Sequence, residues 1–362
     1  MQAGAQPQLV KAIRQARSIP SLDGLRALSV ALVILAHARD TRGFPAWVPD
    51  SLAARGSVGV HIFFVISGFL ITTLLTEELA GTGAISLSLF YARRSLRIFP
   101  PFYYFLAAIV AGVWLGFFNV PERSFLFAAT FTLNYINNGV WVTGHLWSLA
   151  VEEQFYLVWP ATLKLAGRRR ALWIAAALAV AGPPFCLAVG LIDPGLGGHL
   201  VKSFPFVADA IAAGCVLAGL LPWLRQRKQI LGWFTHPWGD LAIPLAVLLE
   251  PVSGHIRLHL GLTESAQSLC ICYAIVRYAE FPNGVVARLL NLPVIAFIGT
   301  LSYSLYLWQQ IFVNPNGARL LQTFPLNLVA SFACACISFY AIERPVAGLR
   351  KRLRPAAPIL PS

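Results

Sequence analysis

Ten apolar runs, most of them about 20 residues long, dominate this chain. They fall at 22–40, 57–76, 96–118, 145–165, 171–191, 206–222, 238–250, 259–279, 292–312 and 324–342. A helix needs about 20 apolar residues to cross a bilayer. Lipid offers no partner to a backbone N–H or C=O, so runs of this kind fold as helices. The expected fold class is therefore all-α: a polytopic membrane protein with about ten transmembrane helices. The run at 238–250 is the weakest, being short and followed by Glu250 and Pro251. A further apolar stretch near 124–140 is broken by Asn134, Asn137, Asn138 and Gly139. It reads as a re-entrant or interfacial segment. As a span, it would put Arg168, Arg169 and Arg170 outside.

Charge orients the helices. Only 12% of the residues are charged and 57% are hydrophobic, where a soluble domain carries about 25% charged. The net charge of +13 would suggest nucleic acid in a soluble protein. Here the basic clusters Lys11/Arg14/Arg17, Arg93/Arg94/Arg97, Lys164/Arg168/Arg169/Arg170, Arg225/Arg227/Lys228 and Arg350/Lys351/Arg352/Arg354 all fall on one side of the predicted topology. The positive-inside rule makes that side cytoplasmic. Both termini are then cytoplasmic in a multi-pass protein of the inner or plasma membrane. Anionic lipid or an anionic cytoplasmic substrate accounts for the charge, and no nucleic-acid partner is expected.

The six cysteines lie in apolar stretches without a C-x-x-C pair, so neither disulfides nor a metal site is expected. Ala36-His37-Ala38 resembles a signal-peptide cleavage site. The short apolar core behind it, with Asp23 and Arg26 at its mouth, favours an intact first helix.

Polar residues inside spanning helices are costly and mark function. Arg26 and His37 lie eleven positions apart, about three helical turns and roughly 16 Å on one face. Asp23 shares that stripe. An Asp23–Arg26 pair capping the helix, with His37 merely at the outer interface, is the plainer alternative. In the second helix, Gly59, Ser67 and Gly68 permit close helix approach, and His61 is a second buried titratable group. A core hydrogen bond explains His61 as well as a catalytic role does. Arg94 and Arg97 lie three apart on a helix that starts at the membrane surface, ahead of Pro100 and Pro101, which are expected to kink it. They serve equally as inside anchors or as a phosphate clamp. Ser148 is a fitting N-cap. His145, Trp147, Glu152, Glu153, Gln154 and Tyr156 crowd the same helix start, more polar groups than a helix end requires.

These motifs resemble the acyltransferase-3 family of integral membrane acyltransferases. The shared residues are Leu22-Asp23-Gly24-Leu25-Arg26-Ala27, the Arg26/His37 pair, Phe63-Phe64-Val65-Ile66-Ser67-Gly68-Phe69, and Phe90-Tyr91-Ala92-Arg93-Arg94 with Arg97. Trp147-Ser148-Leu149 with Glu152 and Gln154-Phe155-Tyr156 follows, then Ser302-Tyr303-Ser304-Leu305-Tyr306-Leu307-Trp308 and Ile342-Glu343-Arg344-Pro345. The resemblance implies a cytoplasmic N-terminal segment at 1–20, an acyltransferase-3 transmembrane domain at 21–346 and a basic cytoplasmic tail at 347–362. Many members also carry a C-terminal esterase-like domain; none is expected here, since the sequence stops about 20 residues after its last expected helix.

For function, the resemblance implies an acyl-CoA donor, usually acetyl-CoA, as co-substrate and no bound cofactor. The implied acceptor is a hydroxyl of a carbohydrate or a lipid-linked glycan. Exopolysaccharide, lipopolysaccharide, a glycolipid or a macrolide-like small molecule would each fit. Arg26 and His37 are the implied catalytic pair, with Glu152 as acidic partner. Arg93, Arg94 and Arg97 would bind the donor. Asp23, His61, Ser67, His145, Trp147, Ser148, Gln154, Tyr156, Tyr303 and Gln309 would line the pocket. Three positions depart from the family pattern. His61 stands where many members have an acid, Gln309 where many have a histidine, and Val207-Ala208-Asp209 lacks a common arginine.

The expected chemistry has His37 as general base on the acceptor hydroxyl and Glu152 fixing its tautomer. Arg26 draws in the pantetheine or polarises the thioester. A pantetheine arm spans about 15 Å, close to the Arg26–His37 separation. A covalent acyl-enzyme on Ser67, Ser148 or His61 is the other route. A transporter or flippase for the same substrate is the rival function, since carriers also bury Arg, His and Glu.

Overall fold

The computed structural model describes residues 20–136, 140–193, 195, 202–250, 260–282 and 284–353. The basic segment at 1–19, Asn137, Asn138, Gly139 and the tail beyond 353 lie outside these residues. Every regular element among the described residues is a helix. The main ones are α1 (Pro20–Ala38), α2 (Gly56–Thr82), α3 (Leu87–Trp114), α4 (Leu146–Ile192) and α5 (Phe204–Gln226). They are followed by α6 (Leu260–Glu280), α7 (Pro293–Phe312), α8 (Leu326–Ser338) and α9 (Arg344–Arg352).

Six helical segments among the described residues are long and apolar enough to cross a membrane. They cover α1, α2, α3, α4, α5 and the α8–α9 stretch, and with them seven of the ten expected runs. The eighth, 238–250, is only the short apolar stretch Pro237–Leu248, about 18 Å of helix against a hydrocarbon core of about 30 Å. The last two, α6 and α7, have spanning lengths of 21 and 20 residues. Their polar side chains, among them Glu264, Gln267, Ser268, Gln309 and Gln310, dilute the hydropathy.

Two expected helices, 145–165 and 171–191, emerge as one 47-residue element. Gly167, with φ 76° and ψ 158°, breaks its helical backbone just before Arg168-Arg169-Arg170. A side chain is disfavoured at that φ. α3 runs as one helix from Leu87 through Pro100 and Pro101 to Trp114. Ser86 caps it, its Oγ accepting from the Leu89 N–H at 3.4 Å.

The stretch near 124–140 does not span. It comprises a short helix (Glu122–Ala129), Phe131 at φ 53°, a 3-10 turn (Leu133–Tyr135) and, past the undescribed residues, the single turn Trp141–Gly144. The Phe131 ring stacks on Phe102 of α3 at 4.3 Å.

Close helix contact depends on glycines. A Cβ at Gly68 of α2 would overlap the Ile211 carbonyl of α5, and one at Gly214 of α5 would overlap the Val65 carbonyl of α2. A Cβ at Gly59 would strike the Ser29 carbonyl of α1. Helices in lipid associate through such backbone approach, because burial of apolar surface gains little there. Two apolar clusters result. One joins α1, α2, α4, α5 and α6; the other joins the C-terminal half of α1, α3, α7 and the 128–149 stretch. Val60, Phe131 and Tyr303 pack against both, and the polar residues concentrate around this seam.

Candidate active site

Three helix ends meet at His37. It occupies the last turn of α1. Gln309 and Gln310 close α7, and His145 is the N-cap of α4. The His37 Nδ1 lies 2.9 Å from Gln309 Oε1, and its Nε2 lies 3.3 Å from Gln310 Nε2. Trp141 meets the imidazole edge-on at 5.4 Å. Gln310 Oε1 in turn accepts from the His145 backbone N–H at 3.1 Å and lies 2.6 Å from His145 Nδ1. Below this, Tyr306 and Ser148 share a hydroxyl–hydroxyl contact of 2.6 Å and both reach the His145 carbonyl.

This arrangement corrects two expectations. Glu152 does not touch His37; the neutral amide of Gln309 takes the place expected for the carboxylate. Ser148 is not the N-cap. The helix begins earlier, at Leu146, and the Ser148 hydroxyl points back to the His145 carbonyl at 3.2 Å.

The second polar group surrounds Arg26, about three turns along α1. Arg26 pairs with Asp23 at 3.9 Å. Arg97 lies within electrostatic reach of Arg26, Arg94 and Arg350, and Asp23 within reach of Arg97. The Arg94 guanidinium stacks 3.6 Å from the Tyr156 ring centroid, a cation–π contact. Its Nε is buried without a hydrogen-bond partner among the described residues. The Tyr156 hydroxyl donates to Ser67 Oγ at 3.0 Å, and Ser67 donates to Glu152 Oε1 at 2.7 Å. Glu152 thus belongs to the arginine group. Glu343 joins from the π-helical turn Phe339–Glu343: it accepts from Ser304 and feels Arg97, Arg26 and Arg350. The Tyr303 hydroxyl donates to the Ile98 carbonyl at 3.1 Å, fastening α7 to α3.

Other expected site residues lie elsewhere. Arg93 turns away to Glu78, an ion pair of 3.0 Å. Gln154 spends its amide on the connecting stretch. It donates to the Phe131 carbonyl and Asn134 Oδ1, both at 2.9 Å, and accepts from Tyr135 at 3.1 Å. His61 contacts Ser268 Oγ of α6 at 2.8 Å. Trp147 meets Phe64 edge-on, with the Lys202 ammonium 5.7 Å from its ring. Among the described residues no cluster of His, Cys, Asp and Glu suits a metal ion.

Sequence reasoning missed Gln310, Trp141 and Arg350 as members of these groups and left Glu343 unused. Two adjacent glutamines ending an aromatic, apolar helix were the available signal for Gln310. Trp141 and Arg350 carried none, since each arrives from a distant part of the chain.

Together the two groups offer a hydrogen-bonded imidazole and, on the same helix, a concentration of guanidinium charge. An imidazole can move a proton near neutral pH. Clustered arginines bind phosphate-rich anions.

Comparison with known proteins places this constellation in context. The chain is 28% identical to the peptidoglycan O-acetyltransferase OatA of Listeria monocytogenes, over 91% of this chain and 56% of that protein. It is 27% identical to the O-acetyltransferase OatA of Staphylococcus aureus, over 91% of this chain and 57% of that protein. The chain therefore spans less than three fifths of the length of these curated relatives. No solved structure matches it. The family of the acyltransferase domain matches residues 19–344, a range that holds His37, Arg26 and all but Arg350 of the two polar groups. The chain belongs to the acyltransferase-3 family.

Proposed function

We propose that this chain is a multi-pass O-acyltransferase of the cell membrane. It moves an acyl group, acetyl by preference, from acyl-CoA on the cytoplasmic side to a hydroxyl of an envelope carbohydrate or glycolipid. The observation that carries the reading is the pairing of two sites on α1. A histidine hydrogen-bonded at both ring nitrogens lies about 16 Å from an arginine cluster with one guanidinium nitrogen unpartnered among the described residues. The relatives named as O-acetyltransferases, one acting on peptidoglycan, support an acetyl group and a glycan acceptor.

The donor phosphates bind at Arg94 and Arg97, and the pantetheine arm reaches toward His37. The acceptor hydroxyl displaces the Gln310 amide from His37 Nε2 and gives up its proton there. Its oxygen forms the new C–O bond at the thioester carbonyl, the C–S bond breaks, and the proton passes to the CoA thiolate. Arg26 stabilises negative charge on the donor side. His37 supplies about 10²–10⁴ of the rate as general base.

The test uses the purified full chain in lipid nanodiscs, labelled acetyl-CoA and soluble peptidoglycan oligosaccharides. The expected result is free CoA thiol together with a labelled, alkali-labile ester on the glycan, both lost in His37→Ala. Transfer that survives His37→Ala overturns the base assignment. Substrate movement into vesicles without CoA release would make the protein a carrier instead.

A further inference from the structure

The contacts around His37 determine which of its nitrogens bears the proton, and the determining residue is Gln310. An amide presents an oxygen and an NH₂ of nearly equal shape, so its partners decide which way it faces. The His145 backbone N–H decides it here, because a main-chain N–H only donates. The Gln310 atom 3.1 Å from it must be the oxygen. The Gln310 atom 3.3 Å from His37 Nε2 is then the NH₂, which only donates. His37 Nε2 accepts and carries the lone pair. A neutral ring with its lone pair on Nε2 has its proton on Nδ1, where Gln309 Oε1 stands 2.9 Å away to receive it.

Gln309 does not impose this outcome. Its Nε2 is fully buried without a partner among the described residues, so a flip of its amide costs it no hydrogen bond beyond the one to His37. With Nε2 protonated, Gln309 would flip and present its NH₂ to the ring. Gln310 cannot follow, because flipping would aim its NH₂ at the His145 N–H. His145 adds a second contact through Nδ1 at 2.6 Å to the same Gln310 oxygen, and its ring also lies against the Leu307 carbonyl at 3.1 Å. Both partners only accept, and a neutral ring keeps the shorter, Nδ1, bond.

We infer that Gln310, locked by the backbone N–H of His145, is the positioning residue that holds His37 as its Nδ1–H tautomer with the Nε2 lone pair available. This inference rests on the assignment of His37 as the base but reads out separately from it. The groups facing the ring are Gln309 and Gln310 from α7, Trp141, and His145 behind Gln310. No carboxylate among the described residues contacts it. Arg39 and Asp40 beyond the helix end pair with each other at 3.1 Å.

The experiment is nitrogen NMR on ¹⁵N-histidine-labelled full chain in nanodiscs, with His37 assigned by its loss in His37→Ala. In the unsubstituted protein, His37 Nε2 should show the pyridine-like shift and Nδ1 the pyrrole-like shift at neutral pH. The opposite pattern overturns the inference, whatever the activity. Gln310→Leu should give mixed tautomers and lower kcat for CoA release with peptidoglycan oligosaccharide by about 10² or more, with little change in KM for acetyl-CoA. Gln310→Glu keeps an acceptor for the His145 N–H but turns a carboxylate toward Nε2. It should invert the tautomer, which a merely structural role would not do. His145→Ala keeps the backbone N–H, so the His37 pattern should persist. A Gln310→Glu protein that folds and retains the Nε2 lone pair would sink the idea. Loss of transfer by His37→Ala with an unchanged tautomer in Gln310→Leu would refute Gln310 and spare the base.

Discussion

The polar group at His37 and the one at Arg26 lie on the same helix but are built from opposite materials. Around His37 the partners are neutral amides and hydroxyls, joined by short, directional hydrogen bonds. Around Arg26 they are full charges, held at longer range, with Arg94 Nε left unpartnered among the described residues. Directional bonds to neutral groups fix a ring's orientation and tautomer, as proton transfer requires. Clustered like charges cannot satisfy one another. They persist where carboxylates such as Asp23 and Glu343 offset part of the charge. On the proposed function the donor's phosphates supply the rest, so that one site is complete before substrate arrives and the other only with it.

The sharpest way to break this comparison is at His37. His37→Ala should lower transfer by about 10²–10⁴ while KM for acetyl-CoA changes little. That is the signature of an interaction made in the transition state. Should KM rise with kcat unchanged, the first group would be a binding site and the contrast would collapse. Arg97→Ala should do the reverse. A charge-assisted contact is worth about 1.5–3 kcal/mol, so KM for acetyl-CoA should rise roughly 10- to 100-fold. The rise should shrink at high salt, because the charge contact that is removed is itself screened there. Initial rates against acetyl-CoA concentration at two ionic strengths decide it. Gln154→Ala should act on neither group. It removes the bonds that tie the 131–135 stretch to α4, at about 1–3 kcal/mol. Its effect should appear as a lower unfolding temperature in detergent, with kinetic constants near those of the unsubstituted chain.

The sequence made one side of the comparison easier to read than the other. Charge is visible as letters, so the Arg94/Arg97 pair and Asp23–Arg26 stood out from their spacing. Helices were equally legible where the whole run is apolar, whether much of it is buried, as in α2 and α5, or open, as in α4. The His37 site was harder because its key partner is an uncharged glutamine more than 270 positions away, a distance no local pattern reports. The sequence links Glu152 to His37 only through function; its position on α4 turns it toward Ser67 of α2, which donates to it at 2.7 Å. Six segments among the described residues meet the length and apolarity of a span, and α7 shows why it is not one of them. The glutamines, serines and tyrosines that serve the site lower the hydropathy on which a spanning helix is recognised.

The smallest expected effect is the most discriminating one. Arg93 adjoins Arg94 in sequence and was expected to share its role, yet helical geometry turns neighbouring residues about 100° apart. Its guanidinium meets Glu78 at 3.0 Å; Arg94 instead stacks on Tyr156. A partly exposed ion pair is worth no more than about 1 kcal/mol. Arg93→Ala should therefore lower stability slightly and leave KM for acetyl-CoA within about twofold of its starting value. A rise like that expected for Arg97→Ala would show that the donor's phosphates draw Arg93 away from Glu78. The arginine group would then extend along the α3 surface, and its unfinished character would be larger than the Arg26 end alone reveals.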